Sequence, residues 1–491
     1  MEKNLISLYD FSAIFDIDNQ YSKEFITTNQ AIVVSDCKTE ITVAVTEDVS
    51  NDTKLIIEKF HYPKKVNFVY ASKKEFVSFI ASNIDSNNVG EKSLNIASSK
   101  FTLDSIEQDA PIVNIINAII IDALKVKASD IHLEVINEYI HIRYRIDGVL
   151  RTVKKLNKDI FASLSSRIKI MANLNIMEQR LPQDGRITVN IEGSAIDIRV
   201  SIVPVTNGEA IALRLFNFSA KSLNIEELGF SDDCLAALKD VINIPYGLIL
   251  VTGPTGSGKT TTLHSLLKLL PFDSLKIITL EDPVEQIIPG ITQIQINEHI
   301  GISFDSMLRR VLRHDPNVIL IGEIRDSNTA ELAIRAALTG HLILATLHTN
   351  DSVSAITRLM DMGVEPYLLA SVLKCVIAQR LVRKLCKNCC VNEPLTDEVR
   401  KLFTSKSIDV NNLKSSKGCD VCHSSGYIGR TVVSEYFTMT PKLEEMISEK
   451  KSIADIRTYL CSQNMIKLLD DGLKKVSEGI TSLAELNREV R

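Results

Sequence analysis

GLILVTGPTGSGKTTTL, residues Gly247–Leu263, passes from an apolar run into a glycine-rich loop and then into a helix-forming stretch. Leu248–Thr252 has the length and composition of a strand buried on both faces. The motif G-x-x-x-x-G-K-T, Gly253–Thr260, follows it directly. Glycines in such a loop let backbone N–H groups turn toward phosphate oxygens, and the helix N-terminus behind adds partial positive charge. Lys259 is expected to reach the β- and γ-phosphates of a nucleotide, and the Thr260 hydroxyl to ligate Mg²⁺. The candidate binding residues are Gly253, Pro254, Thr255, Gly256, Ser257, Gly258, Lys259, Thr260 and Thr261. The bland alternative is an unliganded turn. A strand in front and a helix behind argue against it.

Lys276–Leu280, Val318–Ile321 and Leu342–Ala345 are further apolar runs with helical stretches between them. Strand, loop and helix in repetition predict an α/β core with a largely parallel sheet. An acid at the C-terminal end of such a strand faces the crevice where ligands bind. Glu323, after Ile319–Gly322, is so placed and is expected to polarise an attacking water. Glu281-Asp-Pro-Val-Glu285 puts three carboxylates at another strand end, where they could hold Mg²⁺ through water or form a solvated acidic loop. His341 and His348 flank a further strand, and either could sense a γ-phosphate. Arg309 and Arg313 are spaced i, i+4 on one helix face, while Arg199 and Arg214 lie on strands upstream. Guanidinium groups neutralise charge in phosphoryl transfer, sometimes from a neighbouring subunit.

At 491 residues the chain is too long for one compact domain. Its net charge of -5 argues against a basic-faced nucleic-acid binder, so no direct nucleic-acid partner is expected. The start, MEKNLISLYDFSAIFDIDNQ, lacks a basic region followed by an apolar run. Val113–Val126 is apolar but interrupted by Asn114, Asn117, Asp122 and Lys125, which predicts a packed helix rather than a membrane span. The protein is therefore expected in the cytoplasm, with its nine cysteines reduced. Cys386-x-x-Cys389 and Cys419-x-x-Cys422 are two knuckles with 29 residues between them, a pattern for tetrahedral Zn²⁺ in a closed, structural site. Cys390 and His423 sit beside these ligands and leave the set open at that point. Upstream, short strands at Ala31–Val34, Ile41–Val45 and Val66–Tyr70 mark a small α/β module, and residues 86–105 are polar and loosely patterned. A helix from Pro111 to Lys125 and strands at Ile140–Ile146, Arg186–Val189, Ala195–Ile202 and Ala210–Phe216 predict a mixed-sheet domain.

At this point the chain resembles the secretion ATPases that drive type II secretion and type IV pilus assembly. The resemblance rests on ASDIHLE (Ala128–Glu134), RYRIDGVL (Arg143–Leu150), RLPQDGRI (Arg180–Ile187), DIRVS (Asp197–Ser201), TLEDPVE (Thr279–Glu285), LRHDPNVILIGEIRD (Leu312–Asp326) and TGHLILATLHTND (Thr339–Asp351), together with the phosphate loop. It implies a RecA-like P-loop ATPase core at 219–385, preceded at 106–218 by a mixed-sheet, PAS-like α/β domain that closes over the nucleotide. A partner-docking module at 1–90, a linker at 91–105, a tetracysteine zinc module at 386–430 and a helical region at 431–491 complete the expected order. The resemblance also implies ATP, Mg²⁺ and Zn²⁺ as cofactors and a homo-hexamer with ATP between subunits. Glu323 becomes the catalytic carboxylate, Glu281 and Glu285 an acidic box, and His341 and His348 a histidine box. Arg199 and Arg214 match arginines that contact phosphates, and Arg309 and Arg313 match arginines at the subunit boundary. The implied partners are an inner-membrane platform protein and a cytoplasmic-tailed bitopic protein met by residues 1–90, with peripheral association at the inner membrane. Retraction motors generally lack the cysteine module and the long N-terminal region, so assembly is favoured. The cysteine gap and short N-terminus favour type II secretion over pilus or competence-pilus extension, and a DNA-translocating ring is the remaining reading. No cyclic-dinucleotide repeat is recognisable at the N-terminus.

Overall fold

The computed structural model describes residues 29–37, 39–46, 49–73, 76, 110–191, 194–217, 223–410 and 413–490. The expected linker at 91–105 lies outside them, as do residues 1–28 of the expected docking module. The chain divides into two compact units at residues 102/103.

In the first unit, β1 (Ala31–Asp36) pairs antiparallel with β2 (Glu40–Thr46), and β2 pairs parallel with β3 (Lys65–Ala71). The helix Asn51–Phe60 makes the crossover that a parallel pair requires. Ser50 caps it by accepting from the Thr53 N–H at 3.0 Å. Ile57 faces the core with Ile32, Ile41, Val43 and Val45, while Leu55, Ile56 and Phe60 are exposed.

The second unit opens with the helix Ala110–Lys125, which carries Pro111 in its first turn. There follow β4 (Asp130–Ile136), β5 (Tyr139–Ile146) and β6 (Val149–Asn157), the helix Phe161–Met171, then β7 (Gln183–Ile191), β8 (Ser194–Val205) and β9 (Gly208–Asn217). The sheet order is β6-β5-β4-β9-β8-β7, antiparallel at every pairing. In the region expected as a mixed sheet, then, helices pack on strands of alternating direction; the sheet that mixes parallel and antiparallel pairs belongs to the core. Alternation in Tyr139–Ile146 sends Ile140, Ile142 and Tyr144 inward to meet Ile116, Ile120 and Leu164 of the two helices. Register places Arg145, Asp130, Arg214, Arg199 and Arg186 opposite one another on five neighbouring strands. Directly paired residues share a face, so this row is a stripe across the sheet.

The core sheet has the order β12-β11-β13-β14-β10-β15-β18. Its strands are β10 (Gly247–Thr252), β11 (Ile277–Glu281), β12 (Thr292–Gln295), β13 (Val318–Ile321), β14 (Leu342–Leu347), β15 (Leu373–Leu385) and, after the short hairpin β16 (Cys390–Glu393) and β17 (Leu413–Ser416), β18 (Tyr427–Thr438). All neighbours are parallel except β15 and β18. Leu248 and Leu250 enter one hydrophobic cluster, Ile249 and Val251 the other. Burial on both faces is why these strands read as unbroken apolar runs. The helix Ser327–Leu338 covers one face and the helix Lys259–Leu267 the other.

The long β15–β18 ribbon was not foreseen from sequence. It puts the cysteine segment at the ribbon's tip, where Leu385 pairs with Tyr427 and Cys386 N–H donates to the Gly426 carbonyl at 2.9 Å. Strand β18 spans the expected boundary at 430/431 and joins the core sheet before the last helices begin. Among the described residues, no helix is long and apolar enough to cross a membrane.

Candidate active site

Loop Gly253–Gly258 joins β10 to the helix Lys259–Leu267 and forms one wall of a cleft of about 1140 Å³. Gly253 and Gly258 have φ of 148° and 86°. A Cβ on Gly253 would stand 2.5 Å from the Gln379 carbonyl oxygen, so only glycine fits. The buried Ser257 hydroxyl has no hydrogen-bond partner among the described residues, a donor that a phosphate oxygen suits. Lys259 Nζ donates to the carbonyls of Gly253 (2.8 Å) and Pro254 (3.1 Å). Burial lowers its pKa to about 8, with Glu323 opposing the shift and Arg380 adding to it. Thr260, in the first helical turn, also lines the cleft; its hydroxyl is the hard oxygen donor that Mg²⁺ takes.

Glu323 enters the same cleft two residues beyond β13. Its carboxylate accepts from Arg325, and its Oε2 lies 3.4 Å from His348 Nε2. Burial alone would raise the Glu323 pKa, but the Arg325 hydrogen bond and charge, with His348 and Lys259, hold it below the usual carboxylate range. His348 is lowered by burial and by Lys259, so its imidazole is neutral near pH 7. Its loop is fastened at both ends. The Thr349 N–H donates to Thr252 Oγ1 at 3.0 Å, and the Ser352 N–H and hydroxyl each donate to buried Glu435 at 2.7 Å.

The acidic pair behaves differently. Glu281 is 2% exposed and accepts from Thr279 (2.6 Å) and Gln293 (3.0 Å), with His264 Nε2 at 3.0 Å. Its oxygens are committed to fixing the end of β11. Glu285 is exposed at the cleft, within the field of Arg214 and Arg199.

Across the cleft, Asp130 of the antiparallel sheet accepts from Arg214 Nε at 2.9 Å and lies 3.6 Å from Arg145 Nε. Both arginines line the cleft opposite the phosphate loop. Arg199 is next in the stripe and stacks on Phe216 with its guanidinium carbon 4.9 Å from the ring centre. Other expected residues stand elsewhere. His341 lies at the opposite end of β14 from His348, its Nδ1 2.9 Å from the Ala336 carbonyl. Arg309 is in the helix Phe304–Val311, but Arg313 falls in the following 3₁₀ turn, so they share no continuous helix face. Arg313 Nη1 donates to the Arg309 carbonyl at 3.3 Å, and both side chains are exposed.

Arg325, Asp130, Arg145 and Arg380 also line the cleft, beyond the residues expected from sequence. Arg325 was within reach, since it stands two residues from Glu323. Asp130 and Arg145 become neighbours only through strand register, and Arg380 lies on the unforeseen β15.

At the ribbon's tip, Cys386, Cys389, Cys419 and Cys422 bring their sulfurs within 4.8 Å of one another. The Cys386–Cys419, Cys389–Cys422 and Cys419–Cys422 separations are 3.9, 3.7 and 3.7 Å. Tetrahedral thiolates at Zn–S distances of about 2.3 Å stand about 3.8 Å apart, so the set fits Zn²⁺. Burial would raise the Cys422 pKa, but N–H donors from Cys419 and Gly426, each at 3.2 Å, hold it low. Cys390 Sγ instead approaches the Lys387 carbonyl at 3.9 Å, and neither it nor His423 joins the cluster.

The family described as "Type II/IV secretion system protein" matches residues 105–488. The chain belongs to that family. This secretion-family chain is 46% identical over 385 residues to the type II secretion system protein HxcR of Pseudomonas aeruginosa, covering 78% of each protein. It is 45% identical over 382 residues to the type II secretion system ATPase E of Vibrio cholerae, covering 78% of this chain and 76% of that one. Among solved structures, the pilus retraction motor PilT with bound ADP aligns with a TM-score of 0.52 at 26% identity, over 75% of this chain and 95% of that one. The Legionella pneumophila ATPase DotB aligns at 0.58 and 21% identity, over 76% and 95%, and shares the fold. The chain is a P-loop ATP hydrolase of the secretion class.

Proposed function

We propose that this chain hydrolyses ATP as a ring of six subunits and so powers assembly of a pseudopilus at the inner membrane for type II secretion. The observation that carries the reading is one cleft holding Lys259, Glu323, His348 and Arg214. ATP phosphates lie along the N–H groups of Thr255–Thr261, with Lys259 at the β- and γ-phosphates. Thr260 holds Mg²⁺, which when bound neutralises charge on those phosphates. Glu323, kept ionised by Arg325, orients the attacking water and accepts its proton, and His348 sits where it senses the γ-phosphate. Arg214, with Arg199 behind it, brings positive charge from the opposite wall. The domain carrying them closes on ATP and reopens after hydrolysis. Four thiolates close the coordination of Zn²⁺, so that metal fastens the ribbon's tip and does no chemistry.

Residues 1–90 dock the cytoplasmic tail of a bitopic membrane protein, and the ring works against an inner-membrane platform protein from the cytoplasmic side. Names of the curated relatives support type II secretion over pilus extension. The test is replacement of the chromosomal copy by E323Q in the source bacterium, with residues 1–90 crosslinked in cells. The reading expects secretion to stop at normal protein level and a secretion-apparatus protein to be captured. Normal secretion with lost pili would move the assignment to pilus extension. Normal secretion and normal pili would sink it.

A further inference from the structure

Gln379 lies in the middle of β15, fully buried, beside the pairing of Ala378 with Thr252 that brings this strand against the root of the phosphate loop. Both ends of its carboxamide are used. Nε2 donates to the Ser257 carbonyl at 2.7 Å, and Oε1 accepts from the Thr262 hydroxyl at 2.9 Å. Its backbone carbonyl accepts from Arg380 Nη1 at 3.2 Å and lies under Gly253, while Nε2 stands 3.3 Å from where a Cβ on Gly258 would be. One residue thus meets the loop at its start, at its turn and in the first turn of its helix.

The consequence follows from peptide geometry. The Ser257 carbonyl and the Gly258 N–H belong to one planar trans peptide and point in opposite directions. A donor that holds the carbonyl against β15 therefore turns the Gly258 N–H toward the cleft, where phosphate binds. Only an amide does this while also accepting from Thr262. A carboxylate would set an acceptor against an acceptor, and methionine would fill the space without either bond.

We infer that Gln379 is a positioning residue for the phosphate loop, setting the aim of its backbone donors. The inference rests on the reading of that loop as the ATP site. It acts on bound phosphates in ground and transition states alike, so its loss raises Kd and KM and leaves kcat largely in place.

The test uses the full chain, Mg–ADP as the binding probe, and the variants Q379M, T262V and the double variant. Melting without nucleotide reports folding. Q379M should bind Mg–ADP about tenfold more weakly and raise KM for ATP by a similar factor, with kcat changed by about twofold at most. The double variant should be no worse than Q379M, because both changes break one network. If Q379M does not fold, T262V alone decides, with an expected loss of about threefold in affinity. Wild-type affinity in the informative variant, a loss confined to kcat, or additive losses in the double variant would overturn the inference. Failure of the wild-type chain to bind Mg–ADP would instead overturn the nucleotide reading beneath it.

Discussion

Glu323 stands between a guanidinium and an imidazole, and those neighbours decide its charge. With Arg325 in place its pKa lies below the usual carboxylate range. In R325A, burial is less opposed and the pKa moves up. A water-activating carboxylate must be ionised, so the variant should lose proportionally more kcat/KM at about pH 6 than at about pH 8. A uniform loss across pH would contradict this. Lys259 gives the opposite limb. Phosphate favours its charged form, and that form is lost in the free protein as pH rises through about 8. Mg–ADP affinity should therefore weaken above that pH in the wild type, whereas K259M should bind weakly with little alkaline change. Lys259, Thr260 and Glu323 were legible because each is fixed by a local pattern of strand, loop and helix. Arg145 was not, because its relation to Arg214 runs through Asp130 and a register between strands far apart in sequence. D130A should free both arginines and raise KM for ATP, which titrating initial rate against ATP would show.

At the scale of elements, β10, β13 and β14 were visible as short apolar runs because both their faces are buried. Strands β15 and β18 hid for the converse reason. Leu373–Leu385 interleaves Lys374, Arg380, Arg383 and Lys384 with apolar residues and matches neither a buried run nor a clean alternation. The cysteine knuckles were legible from spacing, but not their place at the end of the same ribbon that carries Gln379 behind the phosphate loop and Arg380 into the cleft. Zn²⁺ analysis should give about one ion per chain. C386S should lower that content and destabilise the tip, seen as faster hydrogen exchange at Tyr427–Gly429. Full Zn²⁺ occupancy in C386S would argue for a different ligand set.

At the scale of the whole molecule, the cleft already contains charge from two walls of one chain, yet Arg309 and Arg313 point to solvent away from it. If they complete a neighbour's site in a ring, turnover per chain should rise with protein concentration and level off as the ring fills. R309A and R313A should flatten that rise, and light scattering alongside would show whether the ring still forms. Turnover independent of concentration would confine catalysis to one chain. Such a boundary could not be deduced from apolar patterning, because exposed arginines on one surface also serve as ordinary solvated charge.

Phosphate release and nucleotide affinity, compared in wild type and E323Q, test whether this one cleft hydrolyses ATP through Glu323. The variant should bind Mg–ATP with affinity near that of the wild type while turnover falls by about a hundredfold or more. Turnover by E323Q at the wild-type rate would contradict it.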